Sequence, residues 1–344
     1  MNISEYYVII VLLLFVGLAV LVILEQVYFS QTGKFSPTVS IIIPVRGLDP
    51  EWEKNADSFR HLSYSNSYDT IYVVDADDAL TADTLRKAGL KVIISSTEYN
   101  KCGAKVAAQL SGLMGSEGEA VVFADSDIRV DQDWLSNIVG PLDRYDAVTT
   151  FSWPLPLKNT WLNIIRGGFW IIGYDSHISA GGFLWGGSMA FKRETLDSEY
   201  IAFMSDKIYD DVTTTSYLKS KKKRICFNGK AVCFNAYDDG KFYKWASRQE
   251  MLVRRYSHRI AVGFFLFMLG FLATSIYGII ILSPFFLSIY ILWWLKGVFT
   301  SIRIGRVSFG IPAVSILSSM IAFFILILTL MKKQTEWRDH IYNF

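Results

Sequence analysis

The chain has 344 residues, of which 51% are hydrophobic, and its mean hydropathy is +0.29. This composition is too apolar for an ordinary soluble protein, and the apolar excess lies at the two ends of the chain. The net charge of +2 does not indicate a nucleic-acid partner, so we expect none. Three cysteines without metal-ligand spacing or an even-numbered framework fit a reducing, cytosol-facing domain.

Three uncharged runs predict an integral, multi-pass membrane protein, because a membrane-spanning helix needs ~20 apolar residues. Residues 6–24 form a retained anchor, since they have neither a basic region before them nor a cleavage site. Residues 260–295 are broken by Ser283-Pro284 and could form two spans, and residues 307–331 form the last run. We place the domain between the apolar ends on the cytoplasmic side, although three later spans would put the basic C-terminal residues outside. One span could therefore be re-entrant or interfacial.

The middle of the chain has the pattern of an α/β domain. Apolar strands alternate with helical segments, which predicts a mostly parallel sheet covered on both faces. The predicted strands are residues 39–43, 70–74, 91–94 and 120–123, and the predicted helices are residues 81–88 and 105–113. The predicted domains are an N-terminal anchor and linker (1–33), a central α/β domain (34–257), and C-terminal membrane or interfacial helices with a short basic-aromatic tail (258–344).

Acidic residues follow two of these strands, at the sheet edge where α/β proteins bind ligands. Asp125 and Asp127 could hold one divalent ion, because Mg²⁺ accepts one or two carboxylates together with phosphate oxygens. Alternatively, they are turn residues. Asp75, at a strand end, is a candidate contact for a nucleotide, whereas Asp77 and Asp78 suit the cap of the next helix.

Two further motifs lie downstream. Asp210 and Asp211 precede a helix, and helix capping explains only one of them, so one carboxylate could position and the other accept a proton. Gly186 and Gly187 either allow the backbone to approach a sugar closely or form a tight turn. Residues 151–172 are rich in aromatic side chains and predict either a surface-lying element that admits a lipid or an internal helix.

A basic and aromatic helix begins near Trp245. Arg248 suits a diphosphate, and Trp245 suits the apolar face of a sugar or a lipid chain. The alternative is an interfacial belt before the next membrane segment, which is plausible for Arg254, Arg255 and Tyr256.

Together, these segments resemble the inverting glycosyltransferase family 2, and most closely its ceramide glucosyltransferase-like branch. The segments that carry the resemblance are residues 39–50, 73–78, 123–127, 186–189 and 210–211. The resemblance implies an α/β GT-A fold, which is a Rossmann-like mixed, mostly parallel sheet, together with transmembrane helices. It also implies a nucleotide-sugar donor, usually a UDP-sugar, and a Mg²⁺ or Mn²⁺ ion.

The resemblance further implies roles for individual residues. Asp211 would be the general base beside Asp210, and Asp125 and Asp127 would bind the metal. The implied donor-binding residues are Pro44, Arg46, Asp75, Lys105, Asp125 and Gln249, and the implied acceptor-binding residues are Gly186, Gly187, Ser188 and Trp245. The family motif Gln/Arg-x-x-Arg-Trp is altered here, because residues 245–249 read Trp-Ala-Ser-Arg-Gln and keep only Arg248.

We therefore predict an enzyme that moves a hexose, for example from UDP-glucose, to a lipid hydroxyl such as that of ceramide, with inversion. The metal, Arg248 and Lys105 would stabilise the departing nucleotide. The alternatives are a processive polysaccharide synthase and a membrane sugar- or lipid-binding module whose catalytic site has decayed. The sequence leaves open the sugar, the acceptor, the number of spans, the choice between Mg²⁺ and Mn²⁺, and the oligomeric state.

Overall fold

The computed structural model describes residues 3–180, 182–238, 242–256, 258–332, 334–337 and 340–343. The chain divides into two compact units. The sheet unit consists of Glu25–Leu155 and Ala180–Tyr237, and the membrane unit consists of Met1–Leu24, Pro156–Ser179 and Asp238–Phe344.

The strands of the sheet unit form a seven-stranded and a three-stranded sheet. Their bounds are β1 Val39–Val45, β2 Tyr68–Val74, β3 Lys91–Ile94, β4 Ala120–Ala124, β5 Ile128–Val130, β6 Ala147–Thr149, β7 Trp153–Pro156, β8 Ser188–Lys192, β9 Ile225–Phe227 and β10 Cys233–Tyr237. The large sheet has the order β3-β2-β1-β4-β8-β6-β9, and the small sheet has the order β5-β10-β7. Two further strands, β11 Gln334–Trp337 and β12 His340–Asn343, pair near the C-terminus.

The large sheet is mostly parallel because β8 alone of its strands pairs antiparallel with its neighbours. Its central strands are apolar along their length and buried on both faces, as parallel strands covered by helices must be. Two apolar clusters form the core, one on each face of the sheet. The predicted α/β fold with a mostly parallel sheet is confirmed.

Twelve α-helices lie in the described part of the chain. Their bounds are α1 Ile3–Phe29, α2 Trp52–Ser58, α3 Ala79–Lys87, α4 Ala104–Met114, α5 Trp134–Val139, α6 Trp161–Ala180, α7 Ser198–Met204, α8 Asp211–Ser220, α9 Phe242–Tyr256, α10 His258–Ile280, α11 Phe285–Arg303 and α12 Gly310–Leu328. Short 3₁₀ turns are present at Thr97–Tyr99, Gly140–Asp143 and Arg193–Thr195.

The apolar ends of the chain form the predicted helices. Among the described residues, α1, α10 and α12 are long and apolar enough to cross a membrane. The apolar run of residues 260–295 is split into α10 and α11, with Pro284 directly before the first residue of α11. A proline at this position costs no intrahelical hydrogen bond, because the first N–H groups of a helix have no partner within it.

The helices α6 and α9 group with the membrane helices. The sequence-based boundary at residue 257 instead placed both segments in the central α/β domain. In α6, Trp161 is 72% exposed, whereas Ile171 and Ile178 are fully buried. The start of α6 is therefore exposed and aromatic, as expected for a surface-lying element, and its later turns are buried, as expected for an internal helix.

Small residues let α6 approach α12 closely. A Cβ atom added at Gly168 would lie 2.4 Å from Oγ of Ser318 and 3.0 Å from Cα of Ser315. The Ser318 hydroxyl also donates a 2.8 Å hydrogen bond to the backbone carbonyl of Ile165. Such contacts are typical of helices that pack within a membrane, where close backbone approach and interhelical hydrogen bonds replace the hydrophobic effect.

A buried ion pair joins α6 to α11. The ammonium group of Lys296 contacts the carboxylate of Asp175, and the two residues are 6% and 7% exposed. Charges are rarely buried unless they are paired, because each would otherwise lose its hydration without compensation. This pair therefore links α6 and α11 within the membrane unit.

Candidate active site

The sheet register brings the predicted acidic residues to one edge. Val45 at the end of β1 pairs with Val74 at the end of β2, and Ile42 of β1 pairs with Phe123 of β4. Residues that follow these three parallel strands therefore emerge on the same side of the sheet. Pro44 lies within β1, opposite Val73 and beyond the residues of β1 that pair with β4.

Arg46 joins the loops that follow β1 and β2. Its Nη1 atom lies 2.7 Å from Oδ2 of Asp75 and 3.1 Å from Oδ1 of Asp77. Next to it, the N–H of Gly47 donates a 2.7 Å hydrogen bond to Asp78, whose other carboxylate oxygen accepts from the first turn of α3. Gly47 has φ +68°, a conformation that glycine adopts without strain. Asp78 thus caps α3, as predicted, whereas Asp77 pairs with Arg46.

Lys105, near the start of α4, connects two acidic sites. Its Nζ atom lies 2.7 Å from Oδ1 of Asp125 and 2.9 Å from Oδ2 of Asp210. It also donates a 3.2 Å hydrogen bond to the carbonyl of Gly186. Gln109, one turn further along α4, donates a 3.0 Å hydrogen bond to the same Asp210 oxygen. The structure therefore brings together residues that are far apart in the sequence.

Gln109 is a residue of this cluster that the sequence did not predict. Its side chain is 3% exposed and hydrogen-bonded to a carboxylate, which is the usual state of a buried amide. The only sequence signal was its position four residues after Lys105, which places both side chains on one face of a helix.

Asp211 is held by backbone groups. Its Oδ1 accepts a 2.7 Å hydrogen bond from the N–H of Val212, and its Oδ2 accepts a 3.1 Å hydrogen bond from the N–H of Gly186. Asp210 directly precedes α8 but makes no side-chain capping bond. Neither carboxylate of this pair is therefore explained by capping alone.

Burial and neighbouring charges change the acidity of this cluster. Burial, together with the charge of Asp210, raises the pKa of Asp211 to about 7. Burial also raises the pKa of Asp125 to about 6, an increase that Lys105 opposes and Asp127 enhances. Burial alone would raise the pKa of Asp210, but Lys105 and Gln109 hold it below its usual range. The two adjacent carboxyl groups therefore differ, with Asp210 ionised and Asp211 titrating near neutrality.

The glycine motif lies between these groups. A Cβ atom added at Gly186 would lie 2.7 Å from Oδ2 of Asp210 and 3.0 Å from Nζ of Lys105, so no side chain fits there without movement. The carbonyl of Gly187 accepts from the N–H of Asp125, and the space beside Gly187 is filled by the indole of Trp185. The side chain of Ser188 is fully buried, where its hydroxyl accepts a 3.1 Å hydrogen bond from Trp134.

The carboxylates at the sheet edge are suitable ligands for a divalent ion. Among the described residues, no group of three or more His, Cys, Asp or Glu side chains is arranged as a metal site. Mg²⁺ and its relatives, however, bind through one or two carboxylates when substrate phosphates supply further oxygens. Asp125 and Asp127 provide two carboxylates. Burial and, to a smaller extent, the charge of Asp127 raise the pKa of Asp125, and a bound cation would favour its ionised form.

The remaining predicted residues lie on α9 in the membrane unit. The Trp245 ring stacks on Trp170 at 5.4 Å between centroids, with an interplanar angle of 26°, and the guanidinium carbon of Arg166 lies 4.6 Å from its centroid. Arg248 and Gln249 follow on the same helix and are half-buried.

Similarity to known proteins defines the class. The fold is similar to that of the mannosyltransferase PcManGT from Pyrobaculum calidifontis, whose structure contains GDP-Man and Mn²⁺. The TM-score is 0.50 and the identity is 16%, with 96% of this chain and 86% of that chain covered. No curated protein sequence matches the chain.

The family model described as glycosyl transferase family 21 matches residues 7–344. The chain therefore belongs to glycosyl transferase family 21. The prediction of a glycosyltransferase from the sequence motifs is confirmed, although the matching family is 21 and the resemblance to family 2 is not confirmed.

Proposed function

We propose that this enzyme transfers a sugar from a UDP-sugar such as UDP-glucose to a hydroxyl group of a membrane lipid such as ceramide, with inversion. The observation that carries the proposal is the buried pair Asp210 and Asp211, in which Lys105 holds the first carboxylate ionised and the second has a pKa of about 7. A carboxyl group poised near neutrality, beside a cluster suited to a diphosphate, is what a transfer to a hydroxyl needs.

The donor would bind at the edge of the large sheet. Asp75, held by Arg46, would accept a hydrogen bond from the nucleotide, and Asp125 and Asp127 would bind Mg²⁺ or Mn²⁺. When bound, such an ion neutralises charge on the diphosphate. Further donor contacts within the sheet unit would come from Pro44 and Lys105. The roles of Arg248 and Gln249, which lie in the membrane unit, stay predictions from the sequence. The GDP-Man and Mn²⁺ bound to the similar mannosyltransferase support a metal-assisted donor site.

Asp211 would act as the general base. The acceptor oxygen loses its proton to this carboxylate and forms a bond to the anomeric carbon, while the bond from that carbon to the diphosphate oxygen breaks. One such displacement inverts the anomeric centre. The N–H groups of Val212 and Gly186 fix the orientation of the base, and Lys105 and Gln109 orient its neighbour Asp210.

The acceptor side would include the backbone of Gly186 and Gly187, which present no side chain. The role of Trp245, which lies in the membrane unit, stays a prediction from the sequence. Ser188 would contribute through its backbone, because its side chain is buried. A lipid acceptor agrees with the three candidate membrane helices. We further propose that the sheet unit faces the cytoplasm, where nucleotide sugars would be available and where three reduced cysteines are stable.

The test is transfer of labelled sugar by the full chain in lipid. Purified protein is incubated with UDP-glucose, other UDP-sugars or GDP-mannose, with Mn²⁺ or Mg²⁺, and with ceramide or other lipid alcohols. Label should move from a UDP-sugar to lipid, and EDTA or Asp211→Asn should abolish the transfer. Asp206→Asn is the matched control, because Asp206 is exposed and pairs with Lys207.

Three outcomes would contradict the proposal. Transfer only from GDP-mannose would show that the donor is not a UDP-sugar. Label that appears in polymer would show that the acceptor is not a lipid. The absence of transfer from every donor would support a decayed site.

A further inference from the structure

The helix α9 carries a buried acidic residue that the proposed reaction does not use. Glu250 is 7% exposed, and it makes no hydrogen bond or ion pair with any residue that the structure describes. A carboxyl group loses its hydration on burial, and this loss is normally offset by a hydrogen-bond partner or a counter-charge. Its position therefore calls for a partner outside the described chain.

The surroundings of Glu250 follow from the contacts one helical turn on either side. Ala246 belongs to an apolar cluster that includes Ile325 of α12. Arg254, one turn after Glu250, donates a 2.8 Å hydrogen bond to the carbonyl of Thr329. Glu250 lies between these two positions, one turn after Ala246 and one turn before Arg254, on a helix that packs against α12.

The nearest cation on the same helix face is already engaged. Arg254 donates to three backbone carbonyls at the C-terminal end of α12, namely those of Thr329, Leu330 and Lys332. These carbonyls follow the last residue of α12, Leu328, so Arg254 binds the turn that ends this helix. The Arg254 guanidinium is thereby directed to the backbone of α12.

The state of the carboxyl group limits what it can bind. Burial raises the pKa of Glu250 to about 8, so most of it is protonated and uncharged at neutral pH. A neutral carboxyl group offers one O–H donor and one carbonyl acceptor, which match a hydroxyl or an amide. When it ionises, it repels a phosphate. The matching ligand is therefore a neutral polar group.

The location indicates the class of molecule that carries this group. α9 packs against α10 and α12, both of which are candidate membrane spans. The apolar cluster that contains Ala246 also contains Phe169, with Trp245 packed against it. Aromatic rings and an isolated hydrogen-bonding group suit an amphipathic molecule whose chain remains among the helices.

We propose that Glu250 marks a lipid-binding site within the membrane unit, where its carboxyl group exchanges hydrogen bonds with a hydroxyl or amide of a neutral lipid. The inference rests on the proposed function, because that lipid is the acceptor. Glu250 is a binding residue here and takes no part in proton transfer at the sheet edge.

The test compares Glu250→Met and Glu250→Gln with the wild type in the full chain. The Met variant keeps the length of the side chain and removes its hydrogen bonds, so KM for ceramide should rise about tenfold. The Gln variant keeps a hydrogen-bond donor and an acceptor, so its KM for ceramide should rise less. KM for the nucleotide sugar and the slow release of sugar to water should not change. Met251→Leu, at a buried neighbouring position, is the matched control for packing.

A second readout separates binding from a structural role. Replacement of an unpartnered buried carboxyl group by Met should leave Tm unchanged or raise it, whereas a structural role predicts a lower Tm. Retention of labelled ceramide should fall in Glu250→Met, and retention of a chain-matched alkane, which has neither a hydrogen-bond donor nor an acceptor, should not. Wild-type transfer with an unchanged ceramide KM in Glu250→Met would overturn this inference alone. Absence of transfer in the wild type would overturn the proposed function and the lipid site with it.

Discussion

Nζ of Lys105 lies 2.7 Å from Oδ1 of Asp125, and the same ammonium group lies 2.9 Å from Oδ2 of Asp210. One cation thus connects the acidic motif after β4 with the acidic pair that begins α8. Both carboxylates raise the pKa of Lys105, so it stays charged in spite of its burial. The donor side and the acceptor side of the proposed reaction therefore share one electrostatic cluster.

Removal of the Lys105 ammonium group should increase the extent to which added Mn²⁺ stabilises the folded protein. In Lys105→Met the carboxylates of Asp125 and Asp210 lose their buried partner, which costs on the order of 3–5 kcal/mol. Mn²⁺ should replace part of the missing charge, so the rise in Tm on Mn²⁺ addition should be larger than in the wild type. Thermal unfolding with and without Mn²⁺ measures this. Lys101→Met, at an exposed lysine nearby, is the control, and equal shifts in Lys105→Met and wild type would contradict the prediction.

Loss of the proposed base should abolish transfer and change the pH dependence of stability. Asp211→Asn should reduce kcat about 10²- to 10⁴-fold. The folded-state pKa of about 7 lies above that of the unfolded chain, so the wild type loses stability as pH rises from about 4 to 7. The Tm of the variant relative to wild type should therefore increase over this range. A constant difference in Tm would show that Asp211 is not shifted.

The same pKa predicts the pH profile of the reaction. Because the base must be deprotonated to accept a proton, the rate at low acceptor concentration should rise with pH up to about 7 and then level off. Initial rates between pH 5 and 9 with a saturating donor measure this. A rate that falls over the acidic part of the range as pH rises would argue against a carboxylate base.

A methyl group at Gly186 should disturb the cluster without unfolding the sheet unit. The added Cβ would lie 2.7 Å from Asp210 and 3.0 Å from Lys105, so both side chains must shift. We expect Gly186→Ala to lower kcat by about tenfold or more, because small displacements of catalytic groups are costly. The control is Gly263→Ala in α10, where an added Cβ meets nothing within 4 Å. Equal activity of the two variants would contradict the cluster geometry.

The buried charges of Asp175 and Lys296 should stabilise the membrane unit only when both are present. Asp175→Leu or Lys296→Met alone leaves one buried charge uncompensated and should cost about 3–5 kcal/mol. The double variant removes both charges and should recover most of that loss. Unfolding in detergent measures this double-mutant cycle. Additive losses in the double variant would show that the contact contributes nothing.

The sequence predicted those parts of the fold that strong local patterns specify. The strand at residues 91–94 has the same bounds in the structure. The acidic residues that follow β2 and β4 lie at one edge of the sheet, as the predicted parallel arrangement of these strands requires. Strand β1 extends past the predicted end at residue 43, since Pro44 lies beyond the residues that pair with β4. A proline is tolerated there because its missing N–H breaks no hydrogen bond to that strand.

The rest depended on long-range contacts that leave little local signal. Strand β8 is short and pairs antiparallel between β4 and β6, an order that no sequence periodicity indicates. Gln109 has the sequence pattern of an ordinary helical residue, and only its contact with Asp210 connects it to the cluster. Glu250 lies in a helix rich in charged and polar residues, so its burial depends on the packing of α9 against α10 and α12. The role of such residues can be inferred only from the contacts that they make, or do not make, in the folded chain.

The contact between Ile165 and Ser318 spans 153 residues of sequence. During synthesis, α6 therefore leaves the ribosome long before the helix that receives it exists. Until α12 has been synthesised, the surface around Gly168 remains uncovered, so α6 can dock onto α12 only late in synthesis. Truncation within α12 should consequently leave a chain that is inserted but incompletely assembled, and prone to capture by chaperones or proteases.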